Sequence, residues 1–115
     1  MNLIRELYKN NPISRNGESI YEIIRSEDNL PIGIAVADIE ESRLHFHKYT
    51  HEWYLVLEGK GKIVLDEEEV FVEKDFLIYI KPETKHKAKN TGKSKFKILV
   101  ITYPPWSKED HYEIK

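Results

Sequence analysis

Three histidines and one glutamate are the residues of this chain best suited to chemistry. His45 and His47 stand two apart in Arg43-Leu-His-Phe-His47. Glu52 opens the apolar run Glu52-Trp-Tyr-Leu-Val-Leu57, and His86 lies downstream in Lys85-His-Lys-Ala-Lys-Asn90. Side chains alternate across a strand, so His45 and His47 leave one face while Leu44 and Phe46 leave the other. Two imidazoles, a carboxylate and a third imidazole brought in by the fold make a mixed N/O donor set. That set suits one borderline divalent transition metal with positions left for water or substrate. The plainer alternative is that the histidines are solvated or satisfied inside a core.

The neighbours of these residues sharpen the choice. The run after Glu52 is apolar on both faces, Tyr54 and Val56 on one, Trp53, Leu55 and Leu57 on the other. A strand of this kind is expected to be buried on both sides. A carboxylate entering it is costly unless paired or bound to a cation, or unless it caps the strand in water. His51 points the opposite way in strand register and reads as a rim residue. Around His86, Lys85, Lys87 and Lys89 alternate with His86, Ala88 and Asn90, so His86 faces inward and needs a partner. Tyr54 shares the face of Glu52, either as a substrate-binding residue or as cavity wall. Arg43 shares the face of His45 and is expected in solvent at the strand mouth. No competing nucleophile stands out, and Gly59-Lys60-Gly61 reads as a turn rather than a phosphate loop.

The spacing His45-x-His47, four residues, Glu52, six residues, Gly59 resembles the first motif of the cupins. Tyr79-Ile-Lys-Pro-Glu-Thr-Lys-His86, with Asn90 beyond it, is similar to their second. The likeness runs from about residue 30 to 105, with motif 1 at about 39–59 and motif 2 at about 75–90. It departs from the pattern at turns: Ile39, Asp75 and Glu83 stand where the family usually has glycine, and only Pro82 of its proline register is kept. The resemblance implies an all-β, single-domain antiparallel barrel or jelly roll over residues 1–115. It also implies that His45, His47, Glu52 and His86 bind one metal inside it. The donor types do not choose among Fe, Mn, Ni, Zn and Cu.

The elements that must position these residues are legible as short strands between turn signals. Expected strands are 18–25, 32–39, 43–47, 52–57, 62–65, 70–72, 76–80, 85–90 and 95–103. Asn16-Gly17, Glu58-Gly-Lys-Gly61 and Thr91-Gly-Lys-Ser94 are among the turns. One short helix is expected over Leu3–Tyr8, with Asn2 as its cap and Pro12 as its stop. The tail from Pro104 is expected to be ordered if Trp106 and Tyr112 dock. About nine strands with almost no helix point to a sandwich or barrel.

Composition sets the outer limits. A chain of 115 residues fits one domain and buries roughly two-thirds of its unfolded surface, enough for one core. It has no cysteine, so thiolate metal sites and disulfides are excluded. No apolar run approaches the roughly 20 residues of a membrane span, and no signal-peptide pattern opens the chain, so a cytoplasmic protein with no membrane partner is expected. Net charge is −2. The basic stretch Lys81 to Lys97 lacks interleaved aromatics, which argues against nucleic acid. Abundant Lys and Glu with no Gln or Cys suggest a thermophilic source. The apolar surface of Trp53, Leu55 and Leu57, with Leu44 and Phe46, suggests a homodimer. Two functions are expected: a metal-dependent oxygenase, isomerase or lyase acting on a small molecule, or a module that binds metal or ligand without turnover.

Overall fold

The computed structural model describes residues 2–15 and 17–115. Eleven strands are present among them: β1 (Ile13–Arg15), β2 (Glu18–Ile24), β3 (Gly33–Ile39), β4 (His45–Phe46), β5 (His51–Glu58), β6 (Lys60–Leu65), β7 (Glu68–Glu73), β8 (Leu77–Ile80), β9 (His86–Asn90), β10 (Lys97–Tyr103) and β11 (Tyr112–Glu113). They form two antiparallel sheets, ordered β1-β2-β3-β10-β5-β8 and β11-β4-β9-β6-β7. The inward faces meet over a core that includes Ile39, Val56, Ile63, Phe96 and Ile98, each 2% exposed or less. The fold is the all-β antiparallel barrel that the sequence implies.

Strand parity accounts for what lies inside. On β5, Glu52, Tyr54 and Val56 are buried, while Trp53 and Leu55 are only half-buried and Leu57 is exposed. The second sheet therefore covers one face of β5, not both. The outer face continues into the exposed Leu77, Tyr79 and Tyr103. Leu44 and Phe46 belong to the other sheet, where Phe46 stacks on Tyr112 at 5.1 Å. On β9, His86 and Ala88 are buried and the alternating lysines face outward.

Four features differ from the sequence reading. The expected helix over Leu3–Tyr8 is absent; the only helical segments among the described residues are 3₁₀ turns at Ser26–Asp28 and Lys108–Asp110. Six residues return too few hydrogen bonds to offset helix nucleation. Arg5 instead donates to both carboxylate oxygens of Asp28, at 2.6 and 2.9 Å, and Tyr8 packs edge-on against Tyr21. Second, β1 and β11 are additional strands, three and two residues long, too short to leave a periodic pattern. Third, Lys60 and Gly61 belong to β6, which leaves Gly59, at φ +81°, as the turn residue. Fourth, Asp75 and Glu83 adopt left-handed backbone, φ +77° and +69°, where the motif usually has glycine. Of the expected Asn16-Gly17 turn, Asn16 lies outside the described residues; Gly17 has φ +79°.

Candidate metal centre

β4, β5 and β9 carry His45, Glu52 and His86 to the inside of the barrel, and His47 follows one residue past β4. His45 lies directly opposite His86 in the β4–β9 pairing. One donor atom from each of the four residues lies within 4.8 Å of the others, and all four side chains are 9% exposed or less.

The hydrogen bonds around the cluster decide what it can hold. His45 Nδ1–H donates to the Arg43 carbonyl at 2.8 Å, His47 Nδ1–H to Asp110 at 2.6 Å, and His86 Nδ1–H to Thr84 at 2.8 Å. A carbonyl oxygen can only accept, so each ring carries its hydrogen on Nδ1 when neutral and turns the Nε2 lone pair inward. His47 Nε2 and His86 Nε2 stand 3.1 and 2.9 Å from Glu52 Oε1. None of these three buried atoms has a hydrogen-bond partner. Acceptors this close in a dry site require a cation or a proton between them. Two donors held about 2.1 Å from one ion and at right angles to each other lie roughly 3.0 Å apart, which the observed separations match. The residues present fit a divalent transition metal.

The electrostatics agree. Burial pushes His45 down to about 3, helped by the nearby His86, so this ring is neutral and available as a ligand. Burial also opposes charge on His47, but Glu52 outweighs it and raises the pKa. Burial disfavours the Glu52 carboxylate, yet His47 and His86 hold it far below the usual range. A proton thus serves the His–Glu contacts in the absence of a cation, and metal binding would release it.

Tyr54 lines the adjoining cavity, with its phenol raised well above the ordinary value by burial and by Glu52. Burial likewise raises Glu18, on β2. Arg43 is at the surface, 3.4 Å from Glu113, as expected for a residue at the strand mouth. His51 is on the outer face, its Nδ1 2.6 Å from the Tyr79 hydroxyl, away from the cluster.

One histidine at the site was not singled out by sequence. His111 stacks on His45, 4.6 Å between ring centres, and lies edge-on to His47 at 5.3 Å. The C-terminal strap delivers it. Trp106 and Tyr112 both dock: Trp106 donates through Nε1 to His111 Nδ1 at 3.2 Å, and Tyr112 stacks on Phe46. The Asp110 carboxylate accepts from the backbone N–H groups of Lys48, Tyr49 and Thr50 and from the Thr50 hydroxyl, at 2.7–3.0 Å. The available signal was the tail itself, with Trp106, His111 and Tyr112 close together in it.

Two β-sheets closing over a buried His–His–Glu–His cluster define a small barrel with a candidate metal site. Residues 35–102 match the cupin domain model, and this chain belongs to the cupin family. An uncharacterised protein of Methanocaldococcus jannaschii, MJ1618, is 39% identical over 108 residues, spanning 94% of this chain and 78% of that protein. Streptomyces Pac13, described as a nucleoside dehydratase, shares the fold with a TM-score of 0.84 and 15% identity, covering 100% of this chain and 92% of its own. Bacillus subtilis oxalate decarboxylase, described with Mn(II) centres, superposes with a TM-score of 0.78 and 18% identity over 94% of this chain and 31% of its own.

Proposed function

We propose that this cupin holds one divalent transition metal through His45, His47, Glu52 and His86 and acts as an enzyme of the isomerase, lyase or oxygenase type on a small organic molecule. The observation that carries the reading is the set of inward Nε2 atoms, fixed by three Nδ1–H bonds to carbonyls, two of them 3.1 and 2.9 Å from a buried carboxylate oxygen. Bound there, the ion would supply Lewis-acid activation of a substrate oxygen. The protein's own contributions are distinct. The three carbonyls orient the imidazoles. Ile20, Ala37 and Val100 line a cavity of about 90 Å³ and limit the water beside the cluster. Tyr54, kept protonated by burial, donates a hydrogen bond to the bound molecule. The dehydratase and decarboxylase named among the similar folds support the lyase type. The alternative is a sensing or storage module that binds without turnover.

The exposed outer face of β5 and β8 supports a homodimer. Trp53 and Tyr79 pack together at 5.3 Å between ring centres, beside the exposed Leu57 and Leu77. A thermophilic source is supported by the relative in M. jannaschii, itself a thermophile.

The test is metal analysis of protein purified without added metal, followed by turnover and oxygen-uptake assays on small oxygenated acids, sugars and diketones. His47→Ala is expected to remove most of the metal without unfolding the protein. Stoichiometric metal in that variant would refute its role, and no turnover by any metal-loaded preparation would favour the binding module.

A further inference from the structure

The cavity beside the cluster is walled in part by β1 and β2 and by Trp106 and His111 of the C-terminal strap. Arg15 of β1, directly opposite Glu18 of β2, lines it together with Ile13, Ile20 and Trp106. The Arg15 guanidinium lies over the Trp106 indole, its Cζ 4.4 Å from the ring centre. Among the described residues the Arg15 side chain makes no hydrogen bond or ion pair, although Glu18 faces it across the strands. A guanidinium has five N–H donors in a planar fork. Here the fork is held against an aromatic wall, half-buried, with no acceptor on it among the described residues.

The wall behind it is held by two hydrogen bonds. The Trp106 backbone N–H donates to Thr102 Oγ1 at 3.1 Å, and its indole N–H to His111 Nδ1 at 3.2 Å. An indole N–H only donates, so His111 Nδ1 accepts and the hydrogen of the neutral ring sits on Nε2. His111 lines the same cavity and stacks on His45. A chain of contacts, Arg15–Trp106–His111–His45, thus runs from the cavity wall to the ligand cluster and carries two donor groups along it.

We propose that the cavity recognises a small carboxylic acid, with Arg15 receiving the carboxylate as a bidentate pair and His111 Nε2–H supplying a second donor. The fork of a guanidinium matches the two oxygens of a carboxylate. Charge favours a monoanion over a phosphate dianion. Glu18 and Glu22 line the cavity against Arg15 and Arg25, and Glu52 offsets one charge of a divalent ion, which leaves one positive charge to neutralise. The isoleucines and the indole suit a short aliphatic or aromatic body.

This substrate class rests on the metal-enzyme reading for any reaction of the bound acid, but recognition by Arg15 is measurable separately. The experiment is calorimetric titration of the protein, loaded with Zn²⁺ and in parallel stripped of metal, with lactate, 2-oxobutyrate and benzoate, each against its neutral amide. At least one acid is expected to bind the loaded protein tenfold or more tightly than its amide. Arg15→Met is expected to bring that ratio within about threefold with metal content unchanged, and Arg15→Lys to keep part of it. Should Arg15→Met unfold, the folded Arg15→Lys variant carries the comparison, and an unreduced ratio there counts against the proposal. An acid preference that survives Arg15→Met, or no preference in the wild type, overturns it. If the protein binds no Zn²⁺, the metal reading fails by itself. The stripped protein then decides: an Arg15-dependent preference for an acid supports recognition, and its absence overturns that too.

Discussion

Asp110→Ala tests whether the C-terminal strap orients the metal site. The carboxylate accepts four hydrogen bonds from the Lys48–Thr50 loop, and the backbone carbonyl of the same residue accepts His47 Nδ1–H at 2.6 Å. Lys48 and Tyr49 are exposed, so their amides can turn to water in the variant. Thr50 is 3% exposed, and its N–H and hydroxyl are left without a partner. At about 1–3 kcal/mol for each buried orphan, the loss is roughly 3 kcal/mol. For a domain of this size that lowers the unfolding temperature by about 12 °C. Loosening the strap also frees the His47 ring, and losing such an outer contact weakens metal binding about 10- to 100-fold. Scanning calorimetry of stripped protein and competitive metal titration measure the two effects. The pH dependence adds a signature. Burial opposes the Asp110 carboxylate, but Thr50 and the loop amides outweigh it and hold its pKa below the ordinary 3.8. A depressed folded pKa gives stability that is complete above about pH 4 and lost as pH falls through the folded value. The gap between wild type and variant should therefore narrow below pH 4. Unchanged unfolding temperature and unchanged metal affinity would refute the role of the strap.

Three further outcomes are expected. Tyr54→Phe should lower turnover while metal content stays at the wild-type level, and equal turnover would reduce Tyr54 to a wall residue. Glu83→Gly should stabilise the protein by about 0.5–1 kcal/mol, because a non-glycine residue at φ +69° bears a strain of roughly 1–2 kcal/mol that exceeds the added entropy loss of glycine; a lower midpoint in denaturant would contradict this. Trp53→Glu on the outer face should convert a dimer to monomer in sedimentation velocity at micromolar concentration, and a wild type that is already monomeric would remove the dimer from the account.

Strand parity made much of the architecture readable. Alternation put His45 with His47, Glu52 with Tyr54, and His86 opposite the lysines, and the structure places all of them on the expected faces. What parity could not supply was depth on the outer side. The apolar Trp53 and Leu55 predicted a covered face, yet an apolar residue half-exposed on a sheet surface has the same sequence signature as one awaiting a partner. His111 and Arg15 escaped for a different reason. Each reaches the cavity through tertiary contact, His111 from the far end of the chain and Arg15 across Trp106, with no periodic pattern to announce it. The short N-terminal amphipathic stretch misled because its side chains found tertiary partners in a non-helical conformation. Asp75 and Glu83 show that the motif's turns survive without glycine, at a cost in strain that no pattern of residue types reveals.

The central claim is that His45, His47, Glu52 and His86 together hold one divalent metal. Its most direct test is a crystal structure of Mn²⁺-loaded protein, with anomalous difference density collected at an energy where manganese scatters. The account predicts a single strong peak about 2.0–2.2 Å from Nε2 of the three histidines and from a Glu52 carboxylate oxygen. A metal-loaded crystal with no peak inside that cluster, or with its only peak on surface carboxylates, would contradict it.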